Sequence, residues 1–388
     1  MMPRARAPAA ASHGRRPPGR SLRPALIRLH RWSGLAAALL FLTQAVTGIL
    51  WSNREALTWL LNPEARLAAA GAAAPLDAVL AAIADRAPGS RLDRIDVPKA
   101  RDAPLVAQVV APGRRVRVLL ISPGTARVLS TGPLTAYPEL LAERLHGSLM
   151  VGGLGHWIVC GEGLVLAVMA ASGLVIWWPG LGRMGGALLV RLSAPPRRFL
   201  RELHLAPGTL AAGALLVIGL TGALMAAEPL TTGLVGHFAP VAPDIVPTLP
   251  QGPPAPVRLS AQQALARLEA RFPGGRLVKV RTLGSGDRLV LAVFVDPRRG
   301  NPMAYDMAGL DRATGSLMVY ADATRVLSGD ALVAWLTPVH SGALLGAWGP
   351  LAATSGGLAL ILLVSTGLIN WRLRYRPPRR PPTRRLEP

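Results

Sequence analysis

Four stretches of the 388-residue chain are apolar for about 20 residues at a time: 33–52, 155–178, 205–227 and 348–371. That is the length an α-helix needs to cross about 30 Å of hydrocarbon. None of them holds a basic residue, and Glu162 is their one acid. The first is longer than the apolar core of a signal peptide and three more follow it, so the pattern predicts an uncleaved first helix. Between the spans the pattern changes. In 53–154 a short amphipathic helix is predicted at 76–87, then strands at 91–97, 105–110, 116–121 and 126–129. In 228–347 Ser260 is placed to cap a helix at 261–272 that Pro273-Gly274-Gly275 ends, with strands at 277–282, 289–295 and 316–320. Each long loop therefore reads as a small α+β domain, and 240–256 as a Pro-rich linker.

Charge orients these elements. The chain carries a net +22 on a half-apolar composition, which suits either a nucleic-acid binder or a membrane protein with localised charge. Residues 1–32 hold eight Arg and no acid, 179–204 hold five Arg against Glu202, and 372–388 hold seven Arg against Glu387. The two long loops are close to neutral, with 12 bases against nine acids and 11 against nine. The positive-inside rule assigns the three basic segments to the cytoplasm. Both termini then lie inside, both loops lie outside, and the even number of spans closes the topology. Basic runs this short, flanking spans, speak against nucleic acid and suit anionic lipid. The single cysteine, Cys160, excludes an internal disulfide, a cysteine zinc site and an iron–sulfur cluster.

The chain also repeats itself. Counting from His30, Gly34, Thr47, Gly48 and Leu50 fall at the offsets at which Gly208, Thr221, Gly222 and Leu224 follow His204. Counting from His146, Gly152, Gly155, Ser172, Gly173 and Trp177 fall where Gly346, Gly349, Thr366, Gly367 and Trp371 follow His340. The predicted unit is helix, outer loop, helix, present twice in parallel orientation.

Leu29-His30-Arg31-Trp32-Ser33-Gly34 with Thr47-Gly48, and Leu145-His146 with Ser172-Gly173 and Trp177-Trp178-Pro179, resemble the signature of the PepSY-associated transmembrane proteins. The stretch from Ser260 to Gly275 and Asp311 to Gly315 resembles a PepSY domain, and the first loop resembles one more weakly. The resemblance spans roughly residues 25–375. It implies four membrane helices with two periplasmic PepSY-like domains. It places the chain among iron-regulated inner-membrane proteins and ferric-siderophore reductases that carry haem.

Four of the seven histidines hold repeat-equivalent positions: His30 and His204 at the inner ends of spans one and three, His146 and His340 on the outer side before spans two and four. Two imidazoles at one depth on neighbouring helices satisfy a six-coordinate haem iron. The expectation is two haem b groups, one held by His30 and His204 and one by His146 and His340. Gly48 lies about five helical turns beyond His30 on the same face, and its small size admits a flat ligand or another helix. From His146 to Trp177 a continuous helix would exceed the bilayer. Either the outer histidines lie beyond the interface or Gly152-Gly153 breaks the helix, and His156 is the other candidate outer ligand. His237 and His13 read as surface or tail residues, Cys160 as packing, and the span-end tryptophans, Trp51 among them, as interfacial anchors. Glu162 reads as an acid near the outer interface and Gln44 as an interhelical hydrogen-bonding group.

No G-x-G-x-x-G run follows a strand, so electrons would come from a quinol or a separate donor. The function so predicted is reduction of a periplasmic acceptor, with a ferric siderophore as the expected substrate, by electron transfer across the membrane. The alternative is a non-catalytic anchor whose outer domains bind or inhibit a periplasmic partner, with the histidines as interfacial passengers.

Overall fold

The computed structural model describes residues 22–68, 72–241, 256–284, 287–296, 298, 301 and 304–374. His13, most of the Pro-rich stretch and the basic tails before 22 and after 374 lie outside them. The helices are α1 (Arg23–Ser52), α2 (Arg54–Leu61), α3 (Leu76–Arg86), α4 (Pro138–Ser148), α5 (Gly152–Trp177), α6 (Met184–Ala187), α7 (Pro196–Ala226), α8 (Glu228–Gly236), α9 (Ala261–Arg271), α10 (Ser328–Ala334), α11 (Leu336–Ser341) and α12 (Gly349–Arg374). The strands are β1 (Arg91–Asp96), β2 (Leu105–Ala111), β3 (Arg115–Ile121), β4 (Val128–Pro133), β5 (Arg276–Leu283), β6 (Leu289–Val295), β7 (Tyr305–Asp311) and β8 (Leu317–Ala321).

Helices α1, α5, α7 and α12 are long and apolar enough to cross a membrane. Each contains one apolar stretch seen in the sequence. Three begin or end well beyond it: α1 starts ten residues before position 33 and α7 nine before 205, both inside Arg-rich sequence, and α12 runs on to Arg374. A basic flank costs a helix nothing once it leaves the hydrocarbon, so hydropathy marks the buried length and not the helix ends. Phe41, Leu166, Leu215 and Leu360, one from each helix, meet in the middle of the bundle. Gly163 lies against Gly219 and Ala223, and Gly357 against Ala45 and Ile49. A Cβ at Gly163 would come within 2.6 Å of the Gly219 carbonyl oxygen, so small residues set the spacing of these crossings.

The strands form one antiparallel sheet ordered β4-β3-β2-β1-β5-β6-β7-β8. The sequence predicts two separate sheets. The structure joins two four-stranded meanders where β1 meets β5, with Ile95 opposite Val280 and Asp96 opposite Lys279. Helices α3 and α9 cover one face, packing Val79, Ile83, Leu265 and Leu268 onto Ile95, Val109, Val290 and Phe294. The two helices also cap one another. Asp77 accepts from the backbone N–H groups of Ala261 (2.8 Å) and Gln262 (3.0 Å) at the start of α9, and Gln262 accepts from Leu76 N–H (2.8 Å) at the start of α3. Ser260 and Gln263 form the capping box their spacing predicts.

Two strands depart from the expected pattern. β7 is not anticipated, because Tyr305–Asp311 carries a Gly and two Asp and lacks apolar alternation; its buried Asp311 is held by Arg288 at 3.1 and 3.0 Å. β4 begins at Val128 and not at 126, since Ala126 has a left-handed backbone (φ 57°) and belongs to the turn.

Candidate functional site

Helix α4 carries His146 and is fixed to the sheet from below. Its Leu140 enters a cluster with Val118 and Leu120 on the face of β3 opposite α3 and α9. Its Glu143 pairs with Arg94 of β1 at 2.6 Å, and its Arg144 donates to Gln108 of β2 at 3.1 Å. The helix ends at Ser148, and Leu149 and Met150 both turn left-handed (φ 50° and 59°) before Gly152 opens α5. The interval from His146 to Trp177 is thus broken into two helices near Gly152-Gly153. At Gly155 a Cβ would lie 1.7 Å from the Ser148 carbonyl oxygen, so only glycine permits the reversal. The second half does the same: α11 carries His340, Gly342 turns left-handed (φ 72°), and a Cβ at Gly349 would lie 2.7 Å from the Gly342 oxygen.

These reversals bring His146 and His340 together. Their ring centroids are 6.1 Å apart with the planes at 57°. Two imidazoles ligating one metal from opposite sides, each with a metal–nitrogen bond of about 2.0–2.1 Å, have ring centres roughly 6 Å apart. His146 Nδ1 lies 3.2 Å from the Gln44 carbonyl and 3.2 Å from Thr47 Oγ1. His340 Nδ1 lies 3.0 Å from the Ile218 carbonyl and 3.1 Å from Thr221 Oγ1. A carbonyl only accepts, so Nδ1 is the protonated nitrogen and Nε2 keeps its lone pair, the tautomer a metal ligand needs. Burial, with His340 adding to it, holds the His146 imidazole down to about 4, so it is neutral at pH 7.

His30 and His204 sit at the opposite end of the bundle and line one cavity of about 590 Å³, within the size range of cofactor sites. His30 Nδ1 is 2.9 Å from Ser172 Oγ, and His204 Nδ1 is 2.9 Å from Thr366 Oγ1. Each hydroxyl donates its own proton to a carbonyl of its helix, Ser172 to Met169 (3.2 Å) and Thr366 to Leu362 (2.7 Å). Each therefore accepts from the histidine, and Nε2 is again the free nitrogen. Arg23, Arg31, Arg197 and Arg201 stand around this cavity, with Arg23 donating to the Ile176 carbonyl and Arg197 to that of Leu373.

One rule covers all four rings. Every membrane helix carries a Ser/Thr-Gly pair, and each pair holds a histidine from another helix: Thr47-Gly48 holds His146, Ser172-Gly173 holds His30, Thr221-Gly222 holds His340, and Thr366-Gly367 holds His204. The hydroxyl takes Nδ1, and the glycine leaves room for the ring edge. A Cβ would lie 3.0 Å from His146 Cε1 at Gly48 and 2.8 Å from His340 Cε1 at Gly222. The glycines thus serve the histidine rings first, where the sequence suggests space for a flat ligand or a helix on the His30 face. Trp51 also has a use its span-end position does not reveal: its ring lies 5.8 Å from that of His146.

His156 is exposed and bonds back to Gly152 O within its own helix, and His237 likewise bonds Gly233 O, so neither joins a pair. Among the described residues no group of three or more His, Cys, Asp or Glu gathers. The donor sets are therefore imidazole pairs, which suit a metal whose other ligands come with a cofactor.

The chain matches the PepSY-associated TM region over residues 27–374. It therefore belongs to the PepSY-associated transmembrane family, as a multi-pass membrane protein with four apolar helices. No curated protein matches it.

Proposed function

We propose that this chain is a di-haem electron-transfer protein of the bacterial inner membrane that reduces a periplasmic acceptor, a ferric siderophore in the first instance. The observation that carries the reading is the 6.1 Å separation of the His146 and His340 rings, with both Nδ1 atoms occupied and both Nε2 atoms free. His30 and His204, on one cavity with the same tautomer, supply the second pair. Haem iron, when bound, supplies one-electron exchange between Fe(III) and Fe(II). The rest belongs to the chain. The Ser/Thr-Gly pairs fix ring orientation, Phe41 and the three leucines keep water from the space between the sites, and the arginines around the inner cavity offer charge to an anionic group such as a propionate.

The two sites lie far enough apart to move charge across a bilayer. Gly48, at the His146 end, is 18 residues beyond His30 on α1, roughly 27 Å along the axis. The Arg-rich segments support a topology with the His30 end and both termini in the cytoplasm and the sheet in the periplasm. A parallel duplication accounts for the matched hydroxyl, glycine and histidine contacts in the two halves. A quinol or a separate reductase feeds the inner site, and the sheet stands on the acceptor side. A ferric acceptor releases its metal on reduction because Fe(II) binds hard oxygen ligands less well than Fe(III). A reduced-minus-oxidised visible spectrum of protein purified from haem-replete cells tests the reading. A haem α band that a ferric siderophore reoxidises supports it, and the absence of any such band refutes it.

A further inference from the structure

Glu162 is the one acid in the four apolar stretches, and it is 6% exposed. Its Oε2 has no hydrogen-bond partner, and neither has Nε2 of Gln44 on α1. Both belong to the depth of the His146–His340 pair. Next to Glu162, Gly163 packs on Gly219 and Ala223 of α7, beside the Thr221-Gly222 pair that holds His340, and the Gln44 carbonyl itself accepts from His146. The duplicated half shows how the two residues relate. Measured from their histidines, Glu162 corresponds to Gly356 and Gln44 to Ile218. A Cβ at Gly356 would lie 3.3 Å from Ile218 Cδ1. One half closes this contact with Gly and Ile, and at the equivalent positions the other half carries a carboxyl and an amide.

Among the described residues no basic side chain pairs with Glu162. Helices α1 and α7 carry no charged side chain over 33–52 and 205–227. Helix α4 brings Glu139, Glu143, Arg144 and His146, whose polar contacts go to Thr58, Arg94, Gln108 and the Thr47/Gln44 pair. A lone carboxylate in such a place is costly and marks a functional group. A cation held between His146 and His340 would be the charge able to offset it.

On the reading that this pair holds haem iron, we infer that Glu162 is a proton-accepting site coupled to reduction of the sheet-side centre, with the unpartnered amide of Gln44 at the same depth. One electron arriving from the His30–His204 side would remove one positive charge from a haem iron held by His146 and His340. One proton from water on the sheet side then joins Glu162 Oε2. When the electron leaves to the ferric acceptor, that proton returns to water. Charge and atoms balance over the cycle.

The test is a potentiometric titration of the haems in full-length protein, wild type and Glu162→Gln, from about pH 5 to pH 9, the range over which buried carboxyls titrate. In the wild type the potential of one haem should fall with pH by up to about 59 mV per unit, the value for one proton per electron. In Glu162→Gln that haem should lose its slope, while the other haem stays as in the wild type. Redox-difference infrared spectra should show a carboxylic acid band that forms on reduction and is missing from the variant. Two haems with an unchanged slope and an unchanged band in Glu162→Gln would overturn the inference. Absence of any haem band would instead remove the reading on which it rests. Gln44→Leu, which leaves the carboxyl in place, should shift the wild-type pH dependence without abolishing it.

Discussion

The hydroxyl of Thr366 stands 2.9 Å from Nδ1 of His204 and passes its own proton to the Leu362 carbonyl 2.7 Å away. The hydrogen bond fixes which nitrogen of His204 faces the cavity. Replacing the hydroxyl by a methyl of similar size, Thr366→Val, leaves the packing and frees the ring. Removing such a partner typically weakens metal binding by about 10–100-fold. We expect the inner site to lose haem at that level, read by haem titration of the apoprotein, with the outer site unaffected. Equal affinities in wild type and variant would mean that the hydroxyl does not orient the ligand.

Gly222 and Gly213 lie on the same helix and differ in one respect. A Cβ at Gly222 would meet His340 Cε1 at 2.8 Å, while at Gly213 nothing lies within 4 Å. Gly222→Ala should displace the His340 ring and deplete the outer haem. Gly213→Ala should bind haem as the wild type does. Pyridine haemochrome assay of both variants distinguishes them, and equal haem content would remove the role given to the Ser/Thr-Gly pairs.

Asp77 bridges the two halves of the sheet domain by capping α9 from α3. Burial pushes its carboxyl up, but the N–H groups of Gln262 and Ala261, with Ser260 and Arg312, outweigh that and hold it below the ordinary range. A depressed carboxyl stabilises the fold at pH values above its unfolded value of about 4, and the contribution disappears as pH falls through the lower folded value. Asp77→Ala should cost about 1 kcal/mol, as loss of a helix cap does. The deficit should be full at pH 7 and vanish in acid. Thermal unfolding of the detergent-solubilised protein by circular dichroism checks it, and a deficit independent of pH would contradict the assignment.

Much of this was legible along the chain. The four spans are simple hydropathy, and the histidines, hydroxyls and glycines stand out because they recur at fixed offsets. Their partnerships were not legible. His30 finds Ser172, 142 residues away, and His146 finds Thr47, 99 residues back; equal spacing within two repeats does not say which helix faces which. The same limit hid the joining of the sheet, since β1 and β5 are separated by three other strands, two membrane helices and the Pro-rich stretch. β7 was hidden for a different reason: its buried Asp306 and Asp311 imitate a polar loop until the groups that bind Asp311, Arg288 and Thr314, are in place. Helix α4 was invisible because Glu139, though fully buried, reads as a surface acid until Thr58 donates to it at 2.9 Å.

The central claim is that two histidine pairs hold two haems in one chain. It is tested most directly by haem per chain, measured with the reduced-minus-oxidised spectrum, in the wild type and in the double variants His30→Ala/His204→Ala and His146→Ala/His340→Ala. The account predicts two haems in the wild type and one in each double variant, with the remaining haem differing in potential between the two variants. A wild-type protein that folds in haem-replete cells and holds no haem, or double variants that keep both, would contradict it.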